Sequence, residues 1–124
     1  MSLTLEWMIG ADDNWCQLDA LDLSDPYFAK FNGVYIVWYG PNDKGEEGRV
    51  ICVGHGILRC KFENMRNDPI IARYSCRHPL VTWAEVAHHQ HPEGIEAYLL
   101  GVLNPLHGER HPNIVQTIVN LPAW

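Results

Sequence analysis

Two apolar runs separated by a polar turn constrain this chain more than any other feature. GVYIVWYG at 33–40 places six apolar or aromatic residues between glycines, and RVICV at 49–53 follows the segment PNDKGEEG. β-branched and aromatic residues favour extended backbone, whereas Pro, Asn, Asp and Gly favour reversal, so the spacing predicts an antiparallel hairpin. Neither run alternates cleanly with polar residues, which predicts that both strands are central and covered on both faces. Within the first strand Tyr35 and Val37 share one face, and Val34, Ile36 and Trp38 share the other.

After Gly54 the apolar period changes from strand to helix. Leu58, Phe62 and Met65 stand at i, i+4 and i+7 and form one stripe, and Asn67-Asp68-Pro69 ends the helix. Residues 70–74 read as a further short helix, and LVTWAEV at 80–86 as a third strand. Residues 92–103 form the clearest helix, with Pro92 and Glu93 in its first turn and Asn104-Pro105 as the stop. Residues 3–9 read as an edge strand or lead-in and 15–25 as irregular. The order is β-β-α-(α)-β-α, an α+β fold in which a small, mostly antiparallel central sheet is flanked by helices. With 124 residues, 47% of them hydrophobic, and neither repeat nor linker, one domain over 1–124 is expected.

The formal net charge of −6 disfavours nonspecific affinity for nucleic acid, which rests on Lys and Arg displacing counterions. Charge is uneven, however. Residues 1–26 hold six acids and no base, whereas 49–77 hold Arg49, Arg59, Lys61, Arg66, Arg73 and Arg77 against Glu63 and Asp68. A basic stretch of this kind is in most proteins a solvated face. No apolar window is long enough to span a bilayer and the first residues lack a leader pattern, so a soluble, cytoplasmic protein without a membrane partner is expected. Cys16, Cys52, Cys60 and Cys76 are scattered with no CxxC pair, which predicts reduced thiols.

Glu96 is the carboxylate with the most demanding position. On a helical wheel Ile95, Leu99, Val102, Leu103 and Leu100 share one arc, and Glu96 falls between Leu103 and Leu100. A carboxylate aimed into apolar surroundings is costly unless a cation, metal or strong donor meets it. The bland alternative is a rim carboxylate leaning to water, or one held in a structural ion pair. Other arrangements are less specific. His88, His89 and His91 with Cys76 or His78 offer zinc donors, but a solvated turn before a helix explains them as well. His107 and His111 are broken up by Gly108 and Pro112. A Cys/His nucleophile would use Cys52 or Cys60 with His55. Trp38 and Trp83 read as core.

The order of these segments resembles the GIY-YIG nuclease family: GVY at 33–35, CVG at 52–54, a basic amphipathic helix, then GIEAYLL at 94–100 followed by LNPL. The likeness covers roughly 31–112. It implies a small mixed sheet with flanking helices that cleaves phosphodiester bonds, using one divalent ion, Mg²⁺ or Mn²⁺, held by a helical Glu, here Glu96. The first-motif Tyr corresponds to Tyr35, which would help activate water. Cys52 stands where the family has its second Tyr, and Lys61 where it has a helical Arg, with Arg59 as a neighbour. Met65 stands where a His is usual, and the late Asn has no counterpart in His107-Gly108-Glu109. The resemblance thus makes Tyr35, Lys61, Glu96 and Cys52 the catalytic candidates and Arg59, His55 and Arg66 the substrate contacts, with Tyr35, Lys61 or Arg59, and Glu96 lining one groove. Two readings follow: a metal-dependent nuclease with an altered site acting on nucleic acid, or a catalytically inactive descendant that binds a protein partner or a second copy of itself.

Overall fold

The computed structural model describes residues 2–30, 32–108 and 113–123. In chain order the elements are β1 (Ser2–Leu3), β2 (Cys16–Gln17), β3 (Asn32–Tyr39), β4 (Arg49–Ile57), α1 (Leu58–Arg66), α2 (Pro69–Ala72), β5 (Leu80–Glu85), α3 (Pro92–Leu103) and β6 (Ile118–Val119). Single 3-10 turns occur at Leu18–Ala20, Pro26–Ala29, Ser75–Arg77 and His88–Gln90. The architecture is α+β: a four-stranded antiparallel sheet in the order β2-β5-β3-β4, with helices against it. β1 and β6 form a separate parallel pair. None of the helices among the described residues is long and apolar enough to cross a membrane.

The hairpin forms in the expected register, with Tyr35 opposite Gly54 and Val34 opposite His55. A bulge between Val37 and Trp38 admits the extra residue Ile51, which is fully buried. Four sequence expectations change. β4 runs on through Gly54 to Ile57 before α1 begins, because Gly33 and Asn32 supply partners for Gly56 and Ile57. β4 is also an edge strand, so of the two hairpin strands it is β3 that is flanked on both sides. Its apolar composition has another cause: helices cover both faces, and beyond α3 the amides of Leu106 and His107 bond to the Val50 and Ile51 carbonyls at 3.0 and 2.9 Å. At the other edge, Cys16–Gln17 pairs with β5 inside a segment expected to be irregular. The expected lead-in strand at 3–9 reduces to β1, while Met8 bonds to β5 through the Trp83 carbonyl at 2.9 Å and the Thr82 hydroxyl at 2.7 Å.

The alternation along β3 sorts the core into two halves. On one face Tyr35 and Val37 join Leu58, Phe62 and Met65 of α1 with Phe28, Val81 and Trp83. Phe62 sits at the centre, edge-on to Tyr35, Trp83 and Phe28 at ring distances of 5.6, 5.8 and 6.1 Å. Complete burial of such a ring contributes about 1.5–3 kcal/mol. On the other face Val34, Ile36 and Trp38 meet Ile95 and Leu99 of α3. Val102, placed in the apolar arc by the wheel, is in fact 48% exposed, so the buried arc of α3 is narrower than expected. Asn104 ends α3 with a left-handed φ of 47°.

Candidate functional site at the edge strand

On the α1 face, glycines at alternate positions of β4 leave a channel for longer side chains. The Tyr35 ring packs on Phe62 and its hydroxyl passes over Gly54, where a side chain's Cβ would stand 2.5 Å from Tyr35 Cζ. Gly56, at φ +144°, lies beneath Lys61, whose Cε would meet a Cβ there at 2.6 Å. Lys61 is exposed at its head and lies along the strand by its stem. Cys52 shares this face and places Sγ 3.9 Å from Met65 Sδ.

Burial holds the Tyr35 phenol above its ordinary range, with the nearby Cys52 and Glu96 adding to the effect. The phenol therefore stays neutral and acts as a hydrogen-bonding group. Burial likewise pushes the Cys52 thiol up to about 12, Asp68 adding a smaller push. Because the thiolate is the reactive form, this environment opposes the expected catalytic use of Cys52.

Arg59 and Lys61 flank opposite sides of the α1 stripe, since two helical residues are separated by about 200°. Lys61 is on the β4 side. Arg59 instead pairs with Glu63 along the helix at 3.4 Å. Arg66 is bound into the fold: its Nε and Nη2 donate to the Leu18 carbonyl at 3.0 and 2.6 Å, and Nη2 also to the Leu21 carbonyl. These contacts give Arg66 a tethering role in place of the expected substrate contact.

His55 and Glu96 belong to the α3 face. His55 follows Gly54 on β4 and points to the opposite side, where its Nδ1 is 3.4 Å from Glu96 Oε1. Nδ1 is buried and makes no hydrogen bond, the carboxylate oxygen standing at ion-pair range. The side chains are 35% and 19% exposed, so the pair stands at the surface rather than in the core.

The expected single groove does not form, and the candidates are split across the rim of the sheet. The Tyr35 ring and Lys61 lie on one face, and Glu96 with His55 on the other. Across an interior strand this division would isolate them. β4 is an edge strand and Gly54 carries no side chain, and what links the two faces here is the charge of Glu96, which adds to the effect of burial on the phenol. The pairing of His55 with Glu96 and the paired glycines were not read from the sequence. Gly54 and Gly56, two apart in a strand opposite an aromatic residue, are the signal that a side chain crosses there.

Elsewhere, Tyr74 stacks on Tyr39 and its hydroxyl meets His107 Nε2 at 2.8 Å, while Arg77 lies 4.2 Å over the Tyr39 ring and bonds to the Gly40 carbonyl. This cluster fastens the β3–β4 loop. Among the described residues no group of three or more His, Cys, Asp or Glu side chains converges on a metal position. Cys76 and His78 precede β5 and His89 and His91 follow it, so a strand of about 20 Å separates the zinc donors considered above. The His111 position lies outside the described residues. Compared with known proteins, the chain matches no protein-family model, no curated protein and no solved structure.

Proposed function

We propose that the chain is a GIY-YIG-type nuclease-like domain that cleaves phosphodiester bonds in nucleic acid with a divalent ion and an attenuated site. The observation carrying this reading is that the Tyr35 hydroxyl lies over Gly54 of the edge strand β4 while the Glu96 carboxylate, on the other face, is near enough for its charge to help hold the phenol neutral. Glu96 fits an ion: it is partly exposed, and among the described residues its ion-pair partner is His55, with no Lys or Arg competing for its oxygens. A divalent ion held there would polarise a phosphoryl oxygen and acidify bound water. The protein's own contributions are distinct. Tyr35, kept neutral, orients a water or a phosphate oxygen by hydrogen bonding. Lys61 supplies positive charge along the α1 face of the rim, and His55 holds the position beside Glu96.

Attenuation follows from Lys61. An ammonium is a point charge without the two-pronged fit that a guanidinium offers to phosphate. A second reading, a non-catalytic binding module, draws on Lys61, the neutral Cys52 and the net charge of −6. The deciding experiment incubates the protein with supercoiled DNA, single-stranded DNA and RNA in Mn²⁺ or Mg²⁺. Metal-dependent cleavage abolished by Glu96→Gln supports the nuclease; cleavage unchanged in Glu96→Gln refutes this site. No cleavage by either the native chain or Lys61→Arg supports the binding module.

A further inference from the structure

We propose that His55 Nδ1 and Glu96 Oε1 together form a two-point chelate for a first-row divalent transition ion, so that the site prefers Mn²⁺, Co²⁺ or Ni²⁺ to Mg²⁺. The inference rests on the metal-site reading of Glu96 and adds a second ligand and a selectivity to it. Its first support is the unsatisfied atom. A buried ring nitrogen without a partner costs free energy, and natural structures leave few such atoms unexplained. The second is the separation. At 3.4 Å Nδ1 and Oε1 stand at ion-pair range with no hydrogen bond between them. Two donors each about 2.1 Å from one ion stand roughly 3.0–3.4 Å apart, which is the spacing observed here.

The two donors are also carried by rigid elements. His55 is fixed by its β4 pairing opposite Val34, and Glu96 by a helix whose neighbouring Ile95 and Leu99 are fully buried. Coordination through Nδ1 leaves Nε2 free to donate to water or to a phosphate oxygen. Since no third His, Cys, Asp or Glu joins the pair among the described residues, the remaining positions would fall to water and substrate oxygens. An imidazole nitrogen in the ligand set favours first-row transition ions over Mg²⁺, least for Mn²⁺ and more for Co²⁺ and Ni²⁺, since Mg²⁺ prefers oxygen and gives up its water reluctantly.

The test is direct binding. Mn²⁺ is titrated into isotope-labelled protein while paramagnetic broadening of the His55 and Glu96 amides is followed, and Mn²⁺ and Mg²⁺ affinities are measured by calorimetry. The native chain is compared with Glu96→Gln, His55→Ala and the bulkier His55→Leu. Thermal unfolding checks each variant, and His55→Leu carries the comparison if the alanine variant does not fold. The expected result is selective broadening in the native chain, loss of binding in Glu96→Gln, and a fall in Mn²⁺ affinity of about tenfold or more in the His55 variants with little change for Mg²⁺. Unchanged Mn²⁺ affinity in the His55 variants, or an equal fall for both ions, overturns the chelate while leaving Glu96 as the metal residue. Absence of broadening near either residue overturns both.

Discussion

The Tyr35 hydroxyl occupies the space that a side chain on Gly54 would fill. Residue 54 thus decides where the phenol points. Gly54→Ala is expected to destabilise the fold by about 1–3 kcal/mol through overpacking, measured by urea denaturation. Tyr35→Phe should not rescue it, because the ring carbon Cζ at 2.5 Å clashes along with the hydroxyl. Full recovery of stability in the Phe double variant would show that the hydroxyl alone sets the fit.

Lys61→Arg is expected to raise metal-dependent cleavage, as a guanidinium restores two parallel hydrogen bonds to phosphate. Arg59→Gln should leave the rate nearly unchanged, since Arg59 occupies the other flank of α1. Initial rates on one substrate distinguish the two. A loss in Arg59→Gln as large as that in Lys61→Ala would place the phosphate on the wrong side of the helix for this reading.

Arg66→Met is expected to cost about 1.5–3 kcal/mol, because the carbonyls of Leu18 and Leu21 lose a charged donor. Arg59→Gln should cost no more than about 0.5 kcal/mol, the value of an exposed pair along a helix. Chemical denaturation of the two variants side by side makes the comparison.

Cys52 gives the fold an alkaline weakness. Its thiol stays neutral in the folded chain after the unfolded chain has ionised, so protons are bound more tightly by the native state. Its contribution to stability is complete below the ordinary thiol range and is lost as pH rises toward about 12. The urea midpoint should begin to fall near pH 9, and fall less steeply in Cys52→Ala, where Cys16, whose thiol burial also raises, keeps part of the slope. Below that range, at pH 8, Cys52 should react with a disulfide reagent slower than an ordinary exposed thiol by a factor on the order of tens. Mass spectrometry should show Cys60 and Cys76, both exposed, labelled first. Early labelling of Cys52 would contradict the buried environment.

Local signals were legible in the sequence and long-range ones were not. The hairpin, the two faces of β3, the α1 stripe and the limits of α3 depend on neighbours within a few residues, and all appear in the structure. The place of β4 at the edge depends on β5 inserting beside β3, which no short window encodes. β2 is two residues long and leaves no periodicity to read. Within the site, Glu96 stood out because burial of a charge is costly wherever its helix packs. Its apposition to His55, and the attachment of Arg66 to Leu18, are decided by tertiary packing.

The strand order also sets a timetable for assembly. β3 and β4 can pair as soon as both leave the ribosome, but β2 has no partner until β5 has been made, and β1 none until β6 follows. Closing such separated contacts early is entropically unfavourable, so the segment before β3 waits while the hairpin and α1 gather around Phe62. Maturation of this protein should therefore finish at its two ends together, with the amide of Leu5, bound to the Asn120 side chain, among the last to be protected from exchange.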